Sequence, residues 1–121
     1  MATNRTRLQP AYVLHSRPYR DSSLLLEVFT AEQGRVSLVS KGARRRSRGG
    51  SDAARLQVFS PLLLSFSGRH ELKTLTGVEQ AGLAWALQGA RMYSGLYLNE
   101  LLVRLLHRDD PYPRLFAAYG Q

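Results

Sequence analysis

Apolar and polar residues alternate along most of residues 7–79, the period of half-buried β-strands. Over Pro10–Arg17, Tyr12 and Leu14 face one way, Val13 and His15 the other. The cluster Pro18–Ser23 (PYRDSS) then reads as a turn. In the next run Leu24, Leu26 and Val28 oppose Leu25, Glu27 and Phe29. Ala31–Gly34 (AEQG) predicts a short hairpin connection, with glycine available for positive φ. Val36 and Leu38 follow on one face, Arg35, Ser37, Val39 and Lys41 on the other, and the face with Arg35 and Lys41 is expected to be solvated and basic. Strand character resumes over Leu56–Phe66, where Leu62, Leu64 and Phe66 are in phase and Pro61 marks a bulge or break. After a turn at Ser67–His70 (SGRH), Leu72, Thr74, Thr76 and Val78 share one side of a fifth strand.

Two segments depart from this period. Gly42–Arg55 (GARRRSRGGSDAAR) has no apolar residue larger than alanine, and is expected to be a flexible loop rather than a strand or helix. From Ala84 to His107 there is no proline, and Leu98, Leu101, Leu102 and Leu105 recur at helical spacing beside Tyr93 and Tyr97. Gly89 and Gly95 each cost about 1 kcal/mol relative to alanine inside a helix, so this stretch predicts one helix or two. His107 and Arg108 suit its C-terminal end, and Pro111 prevents continuation. Asp110 is a candidate cap for a short last helix holding Leu115, Phe116 and Tyr119. The leucine face needs cover from the strands, from further helices, or from another chain.

The pattern predicts a mainly β fold with appended α: a five-stranded OB-fold barrel over residues 1–80, then the start of a helical domain over 81–121. An SH3-like barrel is the nearest rival. The 121 residues suffice for one such core. Cysteine is absent, which excludes disulfides, thiol catalysis and cysteine-held metal in this chain and fits a reducing compartment. No run of 18 apolar residues predicts a membrane span, and the polar start MATNRTRLQP has no hydrophobic signal region.

Charge changes the picture most. Seventeen basic residues, fifteen of them arginine, against nine acidic ones give a net charge of +8. Residues 1–80 hold thirteen basic and six acidic residues, and 81–121 hold four and three, so the excess sits in the barrel part. Arginine keeps its charge and grips phosphate with a planar fork, which points to a polyanion partner. Arg44, Arg45, Arg46 and Arg48, helped by Arg35, Lys41 and Arg55, are candidates for phosphate contact. Tyr19, between Arg17 and Arg20, is the best candidate for stacking a base. The basic loop lacks aromatics, so it would hold strands by phosphate and leave base edges free for pairing. Catalysis has little support: His15, His70 and His107 are isolated, Asp109–Asp110 suits helix ends better than metal, and no phosphate-cradling glycine loop or cofactor motif occurs. An RNA-binding accessory module and a non-catalytic interaction adaptor built on the helix around Tyr97–Leu105 stay open as alternatives.

Three strings, YVLHSRPYRDSSLLLEVFTAEQGRVSLVSKGARR, PLLLSFSGRHELKTLTGVE and YLNELLVRLLHRDDPYPRLFAAY, together resemble the N-terminal half of the bacterial RecO recombination mediators. The most specific parts are Tyr19–Ser23, Gly34-Arg35 with Lys41–Arg44, Gly68 with Glu71-Leu72, and Tyr97–Leu102. The resemblance implies an OB-fold followed by a helical domain, and binding of single- and double-stranded DNA. It further implies annealing of complementary strands and help in loading a recombinase onto DNA coated by single-strand-binding protein. RecR and the single-strand-binding protein are the implied partners, and a cytoplasmic, nucleoid-associated place follows. By position, Arg35, Lys41, Arg44, Arg45, Arg46 and Arg48 match the family's basic strand and loop. Family members are about twice this long. A zinc site in some of them belongs to the part beyond this chain, as does docking of the tail of the single-strand-binding protein.

Overall fold

The computed structural model describes residues 5–44, 52–83, 89–108 and 110–120. Five strands, β1 (Arg5–Tyr19), β2 (Ser23–Thr30), β3 (Gly34–Ser40), β4 (Leu62–Ser67) and β5 (Leu72–Gln80), close into a barrel in the order β1-β2-β3-β5-β4. All neighbours are antiparallel except β3 and β5. This is the five-stranded Greek-key arrangement expected of an OB-fold. A one-turn helix α1 (Asp52–Arg55) precedes β4, and α2 (Ala90–Leu105) and α3 (Pro113–Tyr119) follow β5.

The alternation decides which side chains fill the barrel. Val13, Leu24, Leu26, Val28, Val36, Leu38, Leu62, Leu64 and Phe66 are buried in one cluster, with Leu56 and Ala43 closing it. Each such side chain contributes about 1.5–3 kcal/mol on burial. A second cluster lies outside the barrel wall, where Leu14 and Phe29 meet Leu102 and Leu106 of the α2 end and Tyr119 of α3. Tyr12, Phe29, Phe116 and Tyr119 stack here, the Phe29 and Phe116 rings edge to face at 5.3 Å. Both faces of β2 therefore carry buried apolar residues for a reason: Leu24, Leu26 and Val28 line the barrel, and Phe29 on the other face seats the helices.

Several expectations need correction. β5 turns Leu75 and Val78 toward the core, while Leu72 is exposed, because a bulge at Ser65/Phe66 shifts the register and breaks the even alternation. The segment expected to be wholly loop includes α1, and strand pairing starts at Leu62 rather than Leu56. α2 begins at Ala90, capped by Gly89 at φ 56°; residues 84–88 of the expected helix lie outside the described residues. Asp110 does not cap α3: Tyr112 holds the cap position without a side-chain bond, and Pro113 opens the helix. On α2, Leu102 is buried, whereas Leu98 and Leu105 are exposed.

β5 pairs with β3 only over Ser37–Val39, which leaves the start of β3 open on that side. The segment after α2 fills this edge through a bridge between Arg35 and Arg108. Gly34, at φ 67°, lets that segment approach, since a Cβ there would overlap the Asp110 carbonyl oxygen.

Candidate nucleic-acid interface

The β1–β2 turn, the end of β3 and the start of β5 meet at one end of the barrel. Between them is an open groove of about 470 Å³, lined by Tyr19, Arg20, Ser22, Ser23, Val39, Lys41, Gly42, Leu72, Lys73 and Thr74. Among the described residues no carboxylate lines it. The Arg20 guanidinium lies over the Tyr19 ring, 5.1 Å from its centroid. A cation held on an aromatic plane is a pairing that suits nucleic-acid bases and phosphates together. Lys41 is exposed and makes no hydrogen bond or ion pair among the described residues. Lys73 donates to the His70 carbonyl oxygen at 3.0 Å and adds its charge to the opposite wall.

Arg44 is exposed but committed. Its Nη2 donates to the carbonyl oxygens of Arg20 and Asp21, both at 2.8 Å, and its Nε to that of Ser23 at 3.2 Å. Its own N–H donates to the Ser22 carbonyl oxygen at 2.8 Å. Arg20 has φ 57°, uncommon for a residue with a side chain, and these bonds hold the turn in that shape. The exposed Arg44 guanidinium thus also braces the turn beside the groove.

Arg35 departs from the solvated face expected of it. Its side chain is 11% exposed and ion-paired with Glu27 at 2.6 Å, and its Nε donates to the Leu106 carbonyl oxygen at 3.0 Å. Ser37 donates to the same carboxylate at 2.8 Å, and Arg108 donates to the Ser37 hydroxyl at 2.9 Å while lying 3.6 Å from Glu71. The outer face of β2 and β3 is covered by the end of α2, so a basic residue there serves the junction. Arg55 is ion-paired with Asp52 at 2.8 Å, both groups being well exposed. Arg17 is exposed and lies off the groove, beside Leu25 and Glu27 on the helix side of the barrel. Arg45, Arg46 and Arg48 lie outside the described residues.

The structure therefore brings together Tyr19, Arg20 and Lys41, bonds Arg44 to the turn beside them, and sets Arg35 and Arg17 elsewhere. It adds Lys73, which the sequence reading passed over; its place opposite the conspicuous turn, next to the SGRH connection, was the available signal. Among the described residues no group of three or more His, Asp or Glu is placed to hold a metal ion. Nor is any described helix long and apolar enough to cross a membrane.

Comparison with known proteins completes this description. The family profile described as "Recombination protein O N terminal" matches residues 4–83. The chain is 56% identical to the DNA repair protein RecO of Nitrosococcus oceani over 116 residues, covering 96% of this chain and 46% of that protein. It is 52% identical to the DNA repair protein RecO of Nitrosospira multiformis, covering 97% and 48%. For the DNA repair protein RecO of Coxiella burnetii the identity is 49%, covering 97% and 50%. The chain spans about half the length of these curated relatives.

Proposed function

The chain belongs to the recombination protein O family, and on that premise we propose that it is the DNA-holding part of a non-catalytic recombination mediator. In this reading it binds single- and double-stranded DNA, brings complementary strands together, and helps load a recombinase onto DNA coated by single-strand-binding protein. RecR and the single-strand-binding protein are its partners, the first reached through the whole protein, and it works in the cytoplasm at the nucleoid.

The observation that carries this reading is the groove at the barrel end: Tyr19, Arg20, Lys41 and Lys73 around one opening, without a carboxylate among the described residues. It opens where the basic segment from Lys41 onward leaves the barrel, and Arg45, Arg46 and Arg48 extend the same positive charge along the chain. Sugar-phosphate laid there displaces its condensed cations, which drives binding without regard to sequence. Two strands held through their backbones repel each other less, and their base edges stay free to pair.

The test is an annealing and binding titration across a salt series. Replacing Lys41, Arg45, Arg46 and Arg48 together by alanine should weaken binding of every oligonucleotide. It should also flatten the slope of log affinity against log salt by about 3 for single strands. An unchanged slope and affinity would remove these residues from the interface. Competition between matched DNA and RNA oligomers separates this reading from an RNA-binding one, since phosphate contact does not sense the 2′-hydroxyl.

A further inference from the structure

A second groove, of about 440 Å³, lies around the barrel from the first, between the beginning of β1 and the β4–β5 ladder. Arg5, Arg7, Ser65, Ser67, Thr76 and Gly77 line it, and again no carboxylate does so among the described residues. Arg5 and Arg7 are exposed, and neither has an ion pair or hydrogen bond among the described residues. Two residues apart in the chain, both line this one groove. That spacing presents successive positive charges to a linear polyanion rather than a single focus for a small ion.

The groove is built by irregularities in the strands on both sides. The β1–β4 register shifts between Thr6 and Gln9, and the β4–β5 register shifts at Ser65/Phe66. Leu8 sits at φ 51°, a backbone shape costly for leucine, and its N–H donates to the Ser65 hydroxyl at 3.0 Å. Bulges of this kind re-aim side chains and open space beside a strand. The two grooves also abut. Ser67 of the second is the register partner of Thr74 of the first, so they meet at one ladder position. Arg69 stands in the β4–β5 turn next to this junction.

We propose that the Arg5–Arg7 groove is a second backbone-binding segment, which takes the same nucleic-acid strand as it leaves the Tyr19–Lys41 groove and crosses the β4–β5 turn. This inference rests on the reading of the first groove as a nucleic-acid site, and it lengthens that site along the barrel. OB-folds take about 4–16 nucleotides, so an oligomer of about five probes the first groove and one of about fifteen is long enough to reach both.

The experiment measures affinity of the 121-residue chain for single-stranded oligomers of those two lengths over a salt series, with inorganic phosphate as a competitor. The variants are R5S/R7S and the charge-preserving R5K/R7K. Both positions are exposed, so folding is expected to be unaffected, and circular dichroism confirms it. R5S/R7S should flatten the salt slope for the long oligomer by about 1.4, two contacts at about 0.7 each, and leave the short one unchanged. R5K/R7K should restore most of the slope, and millimolar phosphate should not compete. Equal losses on both lengths, no loss on either, or competition by free phosphate would overturn the proposal while leaving the first groove standing. Failure of the unsubstituted chain to bind any oligomer would remove both readings together.

Discussion

The Nε of Arg35 on β3 donates to the carbonyl oxygen of Leu106, 71 positions later, at 3.0 Å. That carbonyl belongs to the residue ending α2, where unpaired backbone oxygens give the helix its negative end. A barrel guanidinium thus caps a helix of the following segment, while its other arm holds Glu27.

Arg35→Ala should cost about 3 kcal/mol of stability, because it strands a nearly buried carboxylate and releases the helix end. Arg35→Ala with Glu27→Gln should recover part of that loss. Urea denaturation of the two variants checks it. Oligonucleotide affinity measured well below the melting transition should stay the same; a large loss there would place Arg35 in the DNA interface after all.

Gly34→Ala should destabilise by about 2–4 kcal/mol, combining left-handed backbone strain with collision against the Asp110 carbonyl. The strap over the start of β3 must then lift. Hydrogen exchange should report this as lost protection at the end of α2 and in the strap, beyond any change in the barrel strands.

Arg44→Ala and Lys41→Ala should separate shape from charge. Removing the Arg44 guanidinium frees three carbonyls of the β1–β2 turn and should cost about 1–2 kcal/mol of stability together with affinity. Arg44→Lys should not rescue it, since a single ammonium cannot reproduce the planar fork. Lys41→Ala should lower affinity and leave the melting temperature in place. Thermal melts beside binding titrations distinguish the two.

Alkaline pH should loosen the seat of the helices. Tyr119 is buried and its hydroxyl donates to Asn99 Oδ1 at 2.7 Å; burial pushes its pKa well above the ordinary tyrosine value, and burial raises that of Tyr12 as well. A pKa raised in the folded state means stability that is fully present below the unfolded value of about 10 and is lost as pH climbs past it. Tyr119→Phe should cost about 1 kcal/mol near neutrality, leaving Asn99 without its donor, yet flatten the decline above about pH 10, with Tyr12 supplying what slope is left. Denaturant titrations at neutral and alkaline pH check both signs.

How much of this could be read beforehand varies with the physics at each place. The β2–β3 hairpin was legible because alternation and a glycine-ended turn specify register with few alternatives. That same register sets Glu27 diagonal to Arg35 across the ladder, so the ion pair was within reach of the sequence alone. It was passed over because a polar face suggests water, whereas here the polar residues are covered by chain arriving much later. β5 misled for another reason: one bulge puts Leu75 and Val78 on the same side, and period-2 counting has no means of seeing a skipped residue. At the candidate site, Tyr19 and Arg20 stood out by composition, but that Arg44 is engaged by backbone depends on carbonyls of a turn some twenty residues earlier. Arg5 and Arg7 drew no notice because two arginines near a chain start carry no pattern until the strand beneath them is seen to bulge.

The first strand of the barrel has two neighbours, and they differ in age. Its later half zips onto β2 within the same hairpin, while its early half pairs with β4, which begins at Leu62. A ribosome delivers the near neighbour within a second or so at about 5–20 residues per second, and the far one only after roughly thirty further residues. Until then, half of β1 is an open edge in the cell, charged by Arg5 and Arg7. The cations proposed to greet a nucleic acid in the finished protein would, during its making, keep that edge from zipping onto the wrong chain.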